Sequence, residues 1–119
     1  MAFKFENLQV WQKAVDFADA LYDLSNSFPK EEMYNLTSQM RRASLSVSLN
    51  VAEGSVGQSN AEFQKFLGYS IRSTAEVVTC LFFALRRKYI SQDQFNDFYS
   101  RAEELFKMLN GLSNSLNKK

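Results

Sequence analysis

The stretch from Leu36 to Gly54, LTSQMRRASLSVSLNVAEG, admits few folds, because wound as a helix it carries three faces at once. At about 100° per residue, Leu36, Met40, Ala43, Val47 and Val51 form one apolar stripe. Gln39, Arg42, Ser46, Asn50 and Glu53 line up beside it as a polar stripe, and Leu45, Leu49 and Ala52 make a second apolar strip on the far side. A helix in an isolated bundle needs one apolar face, so the second strip calls for cover, most simply by another copy of the chain. The competing account is a helix central enough to be buried all round.

The rest of the chain supplies partners for such a helix. Trp11, Ala14, Val15, Ala18, Leu21 and Tyr22 recur at helical spacing, and Phe28-Pro29 interrupts them because proline disfavours helix in the residue before it. Pro29 with Lys30, Glu31 and Glu32 suits a first helical turn, and Gly54 suits a left-handed cap at the end of the second helix. Ser59 to Glu62 and Ser91 to Gln94 read as capping boxes, with Ile90 stapled to Phe95. The third core stripe is Phe63, Phe66, Leu67, Ser70, Thr74, Val77, Val78, Leu81 and Leu85, with Phe82 and Phe83 pointing elsewhere. The fourth is Phe95, Phe98, Tyr99, Ala102, Leu105, Phe106, Leu109 and Leu116, and the closing SNSLNKK is expected to fray. The expectation is an all-α, antiparallel up-down four-helix bundle forming one domain over 1–119, with helices near about 7–27, 30–54, 60–89 and 92–116.

Composition removes several function classes. Seventeen aromatics in 119 residues fill a core without staples. The absence of histidine takes away the commonest metal ligand and general base, so zinc sites and histidine triads are not expected. Cys80, in VVTCLFFAL, reads as a packed thiol in a reducing compartment. No apolar run approaches the roughly 20 residues that span a bilayer, so no membrane contact is expected and a cytoplasmic location follows. Net charge is +1, so attraction to nucleic acid must come from local clustering.

Four constellations remain. The polar stripe could be a binding groove, but polar groups at a helix seam need partners on neighbouring helices, and Ser73 and Glu76 are candidates. Asn50 to leucine is therefore expected to disturb packing or assembly more than nucleic-acid affinity. Glu53 and Glu76 form a poor acid–base or metal pair without the Glu-x-x-His frame of diiron bundles. Arg41, Arg42, Arg72, Arg86, Arg87 and Lys88 are the candidate phosphate contacts, although Arg86-Arg87-Lys88 also complements the negative end of the third helix. Leu45, Leu49, Ala52, Phe82 and Phe83 are the candidate oligomer interface.

The run EEMYNLTSQMRRASLSVSLNVAEG, preceded by FENLQVWQKA and followed by SNAEFQKFLGYSIRSTAEV, resembles the bacterial 23S rRNA intervening-sequence proteins, or S23 proteins. The resemblance covers essentially residues 5 to 110 and includes Trp11, Pro29, Leu36, Arg41, Arg42, Asn50, Glu53 and Gly54. It implies a homo-oligomeric, typically pentameric bundle without catalytic activity or cofactor, encoded in some bacteria within 23S rRNA gene insertions. More distantly it is similar to the accessory protein of diversity-generating retroelements, which works with a reverse transcriptase and nucleic acid. The chain departs from many relatives in having Ser46-Val47-Ser48-Leu49-Asn50 where they carry Ser-Ile-Pro-Ala-Asn, Gln58 where they carry a basic residue, and Arg72 where they carry glycine. The expected function is a non-enzymatic oligomer associated with rRNA or another nucleic acid, with a protein-interaction scaffold as the alternative.

Overall fold

The computed structural model describes residues 2–117. Four long helices, α1 (Gln9–Ser25), α2 (Ser38–Ser55), α3 (Asn60–Arg86) and α4 (Gln92–Ser115), pack into a rod of 48 × 23 × 22 Å, with no strand among the described residues. Helix α2 packs against α1 and α3, α4 lies against α3 and α1, and α1 and α3 occupy diagonal corners. Cross-helix contacts set the register: Ser70 Oγ donates to the Val47 carbonyl (2.8 Å), Gln64 Nε2 to the Ser113 carbonyl (2.8 Å), and Lys13 pairs with Glu104 at 3.4 Å. Helix four persists to Ser115, into the tail expected to fray, and the last two residues of that tail lie outside the described residues.

The α2 stripe expected to be core is buried throughout, with Met40, Val47 and Val51 fully enclosed. Helix α1 differs from expectation. It buries Val10, Ala14, Phe17, Leu21 and Leu24, whereas Val15 and Tyr22 are exposed. The helix has two overlapping apolar stripes, and the one containing Phe17 packs its ring 6.3 Å from that of Phe98. In α4, Tyr99 and Phe106 likewise turn outward.

Proline does not open a regular helix. Lys30–Glu32 form a 3-10 turn and Met33–Thr37 a π-helical turn, with Tyr34 off helical geometry at φ −102°, ψ 18°. The buried Glu32 carboxylate organises this entry by accepting from Tyr89 Oη (2.8 Å), Asn35 Nδ2 (2.9 Å) and the Leu36 amide (3.4 Å). Those donors, Tyr89 foremost, hold its carboxyl below the ordinary value, and the Arg87 charge adds to them. A depressed carboxylate pKa means stability that is present above the unfolded-state value and is lost as pH falls through the folded-state value. We expect urea midpoints of the native protein to drop on acidification below the ordinary carboxylate range, and those of Glu32→Gln to be lower at neutral pH and flatter with acid. Parallel pH profiles would refute that role.

Helix ends follow local chemistry with two corrections. Ser91 and Gln94 form the full capping box, with Ser91 Oγ accepting from the Gln94 amide (3.0 Å) and Gln94 Oε1 from the Ser91 amide (2.9 Å). Ser59 caps the Glu62 amide at 3.1 Å, but Glu62 reaches back to the Gln58 amide at 2.9 Å, one residue short of a box. Gly54 is not a left-handed cap. No glycine has positive φ, α2 continues to Ser55, and Gly54 is buried against Phe63 and Phe66 of α3.

Candidate functional site

The polar stripe of α2 divides in two. Asn50 Nδ2 donates to the Ser46 carbonyl and Oγ (2.9 Å each), and Ser73 Oγ on α3 donates to Ser46 Oγ at 3.0 Å, so these three residues tie α2 to α3. Gln39, Arg42 and Glu53 are exposed, as is Glu76, and none forms a side-chain hydrogen bond or ion pair among the described residues. The expected network is thus reduced to Ser46, Asn50 and Ser73. On the opposite flank, buried Ser44, Ser48 and Ser55 donate to the carbonyls of Arg41, Leu45 and Ala52. Such back-bonding satisfies small polar groups without a partner, which is why these serines can be buried.

Arg41, expected to meet phosphate, is committed to α1. Its Nε donates to Ser25 Oγ (2.8 Å), its Nη2 to Asn26 Oδ1 (2.7 Å) and the Tyr22 carbonyl (3.4 Å), and its guanidinium lies 3.8 Å from the Tyr22 ring centroid. One helical position on, Arg42 is exposed and points about 100° away.

Arg86, Arg87 and Lys88 are exposed at the end of the bundle where α3 stops. The Phe28 and Tyr89 rings are 5.7 Å apart there, and Tyr89 bonds Glu32, so the end of α1 and the entry to α2 share the location. Arg72 sits apart, exposed midway along α3. The terminus is a Schellman motif, with the Tyr89 amide bonded to the Ala84 carbonyl (2.9 Å) and the Lys88 amide to that of Leu85 (3.0 Å). Lys88 fills the left-handed position at φ 65°, the only positive φ among the described non-glycine residues. Glycine is favoured at such a position because a Cβ there costs on the order of 1–2 kcal/mol. Lys88→Gly is therefore expected to raise stability by about 1 kcal/mol after allowance for glycine's entropy, as read from the urea midpoint. A lower midpoint would overturn the assignment.

Glu53 and Glu76, the candidate carboxylate pair, are both exposed, and their side chains make no hydrogen bond or ion pair among the described residues. Cys80 is half-buried, and burial first, then the Glu76 charge, push its thiol above its ordinary pKa, which disfavours the reactive thiolate. Among the described residues no cluster of three or more metal-ligating side chains is found, and no helix is long and apolar enough to cross a membrane.

The exposed apolar residues fall on separate sides. Leu45 and Leu49 are 52% and 57% exposed on the outer face of α2, joined there by Val56. Val15, Ala18, Tyr22 and Leu45 line a groove of about 400 Å³ between α1 and α2, with Asp19 and Arg42 on its rim. Phe82 lies toward α4, its ring 4.8 Å from that of Phe95, whereas Phe83 lines a groove shared with Gln39 of α2. Ala52 is half-buried. The five candidate interface residues thus span more than one face, and the exposed Tyr22, Tyr99 and Phe106 extend the apolar surface beyond what the sequence pattern had marked.

A family model described as 23S rRNA-intervening sequence protein matches residues 6–111. No curated protein matches the chain in sequence. Among solved structures, the chain is similar to a protein of unknown function from the S23 ribosomal protein family of Bacteroides thetaiotaomicron VPI-5482, at 23% identity and TM-score 0.81, over 87% of this chain and 97% of that one.

Proposed function

The chain belongs to the 23S rRNA-intervening sequence protein family, and from that premise we propose that it is a non-enzymatic, self-associating scaffold that contacts RNA through one end of its bundle. The helices run up-down and antiparallel, a reading supported by the cross-helix register, and the assembly is a homopentamer by family resemblance. The lone, unpaired thiol Cys80 supports a cytoplasmic setting. The observation that carries RNA contact is Lys88. A lysine stands in a backbone conformation that favours glycine, next to two exposed arginines, so its ammonium is kept at a cost in stability. Arg87 and Lys88 form the contact, with Arg42 as a secondary position, Arg41 withdrawn from the set and Arg72 and Arg86 left to the outer face of α3.

The test is titration of the purified protein into labelled 23S rRNA fragments and unrelated RNA at low and near-physiological salt. Binding is expected to weaken steeply with salt, and Lys88→Gly to lower the slope of log affinity against log salt by roughly 0.7–0.9 while the protein grows more stable. Absence of binding at low salt, or an unchanged Lys88→Gly slope, overturns the RNA reading. The exposed aliphatic strip on α2 then favours a protein-interaction scaffold, such as an accessory subunit of a nucleic-acid enzyme.

A further inference from the structure

Helix α1 carries Asp16, Asp19 and Asp23 on the side opposite its core stripe, all exposed. Helix α3 carries Lys65, Arg72 and Arg86 on the side opposite its own, again exposed, with Glu76 the one acid among them. The ion pairs of the described chain are Lys13–Glu104 and Arg101–Asp97, so none of these six charges is neutralised within it. Because α1 and α3 are diagonal, the acidic and basic stripes face away from each other. Each has exposed apolar neighbours, Val15 and Tyr22 beside the acids, Tyr69 and Phe83 beside the bases.

We infer that the acidic outer face of α1 in one copy docks on the basic outer face of α3 in the next, a head-to-tail contact that builds the assembly. This rests on the reading that the chain self-associates, and adds which surfaces meet. Asp16 and Asp23 are seven residues apart, as are Lys65 and Arg72, so both pairs span about 10.5 Å and can match in one register. Between the two bases, Gly68 has open space around its missing Cβ, which lets a partner helix approach closely. The aromatic and aliphatic neighbours supply apolar area, while the charges select partner and register. Stripes on opposite corners cannot satisfy each other across a two-fold axis in a simple dimer. The same contact repeated around an axis closes a ring, or grows a filament where the rotation does not close.

The test uses two full-length variants, Asp16→Lys/Asp19→Lys/Asp23→Lys and Lys65→Glu/Arg72→Glu/Arg86→Glu, with helical circular dichroism to confirm folding and mass measured by native mass spectrometry and light scattering. Each alone presents like charge on both faces and is expected to be monomeric. The chain carrying all six substitutions restores opposite charge at every contact, whatever the number of subunits, and is expected to reassemble. Assembly of either variant alone at native mass overturns the pairing and leaves self-association standing, and failure of the folded six-substitution chain to reassemble overturns it likewise. A wild-type chain that is monomeric across the same concentrations overturns self-association and the pairing together.

Discussion

Gly54→Ala is expected to lower the stability of the fold by about 1–3 kcal/mol, although alanine is the better helix former by about 1 kcal/mol. A Cβ at position 54 would meet Phe66 Cβ at 2.8 Å, Phe63 Cδ1 at 2.9 Å and the Phe63 carbonyl oxygen at 3.3 Å. Phe66 Cβ is fixed to the α3 backbone, and the Phe63 ring is buried, so neither can swing aside. The helices themselves must separate where the loop 56–59 joins them. Gly111→Ala in α4 is the control, since nothing lies within 4 Å of the added carbon. There the propensity gain acts unopposed, and a rise of about 0.5–1 kcal/mol is expected. Urea unfolding of both variants decides the matter. If Gly54→Ala is as stable as Gly111→Ala, close approach of α2 and α3 is not what the glycine serves.

The same position shows where sequence reasoning reached and where it stopped. That a glycine mattered near residue 54 was legible, but cap and close contact leave the same mark on a sequence, and only the distance to Phe63 and Phe66 separates them. The α2 core stripe was legible because it competes with no other apolar stripe of equal length. In α1 two stripes overlap, and the one buried, with Val10, Phe17, Leu21 and Leu24, is the more apolar, which the aromatic spacing of Trp11 and Tyr22 masked. Ser44, Ser48 and Ser55 read as polar, yet a serine that bonds its own turn is small and satisfied, so burial of these residues could not be read from type alone. The irregular entry after Pro29 was hidden because its organiser, Glu32, is completed by Tyr89, which lies 57 positions away in the chain. Of the candidate RNA contacts, Lys88 gained weight from a backbone angle, which no residue pattern reveals.

Arg41 and Arg42 are adjacent and chemically identical, and their replacements are expected to differ sharply. Helix α1 has no basic residue in its last turn, so its carbonyl end lacks a local cation. Arg41 supplies one from α2, spreading its guanidinium over the Tyr22 carbonyl, Ser25 Oγ and Asn26 Oδ1 while stacking on the Tyr22 ring. Hydrogen bonds to a charged donor contribute roughly 1.5–3 kcal/mol and a cation–π contact at a partly exposed site about 0.5–1 kcal/mol, with non-additivity reducing the sum. Arg41→Ala is expected to destabilise by about 2 kcal/mol, and Arg41→Lys to recover less than half, because one ammonium cannot reproduce the planar fork. Arg42→Ala, at an exposed position without such partners, is expected to stay within about 0.5 kcal/mol of the native protein. RNA affinity should reverse the order, with Arg42→Ala reducing it and Arg41→Ala leaving it unchanged at temperatures where the variant is folded. Equal urea midpoints for the two alanine variants would remove Arg41 from the helix-coupling role. A loss of RNA affinity confined to Arg41→Ala would return its guanidinium to the phosphate surface.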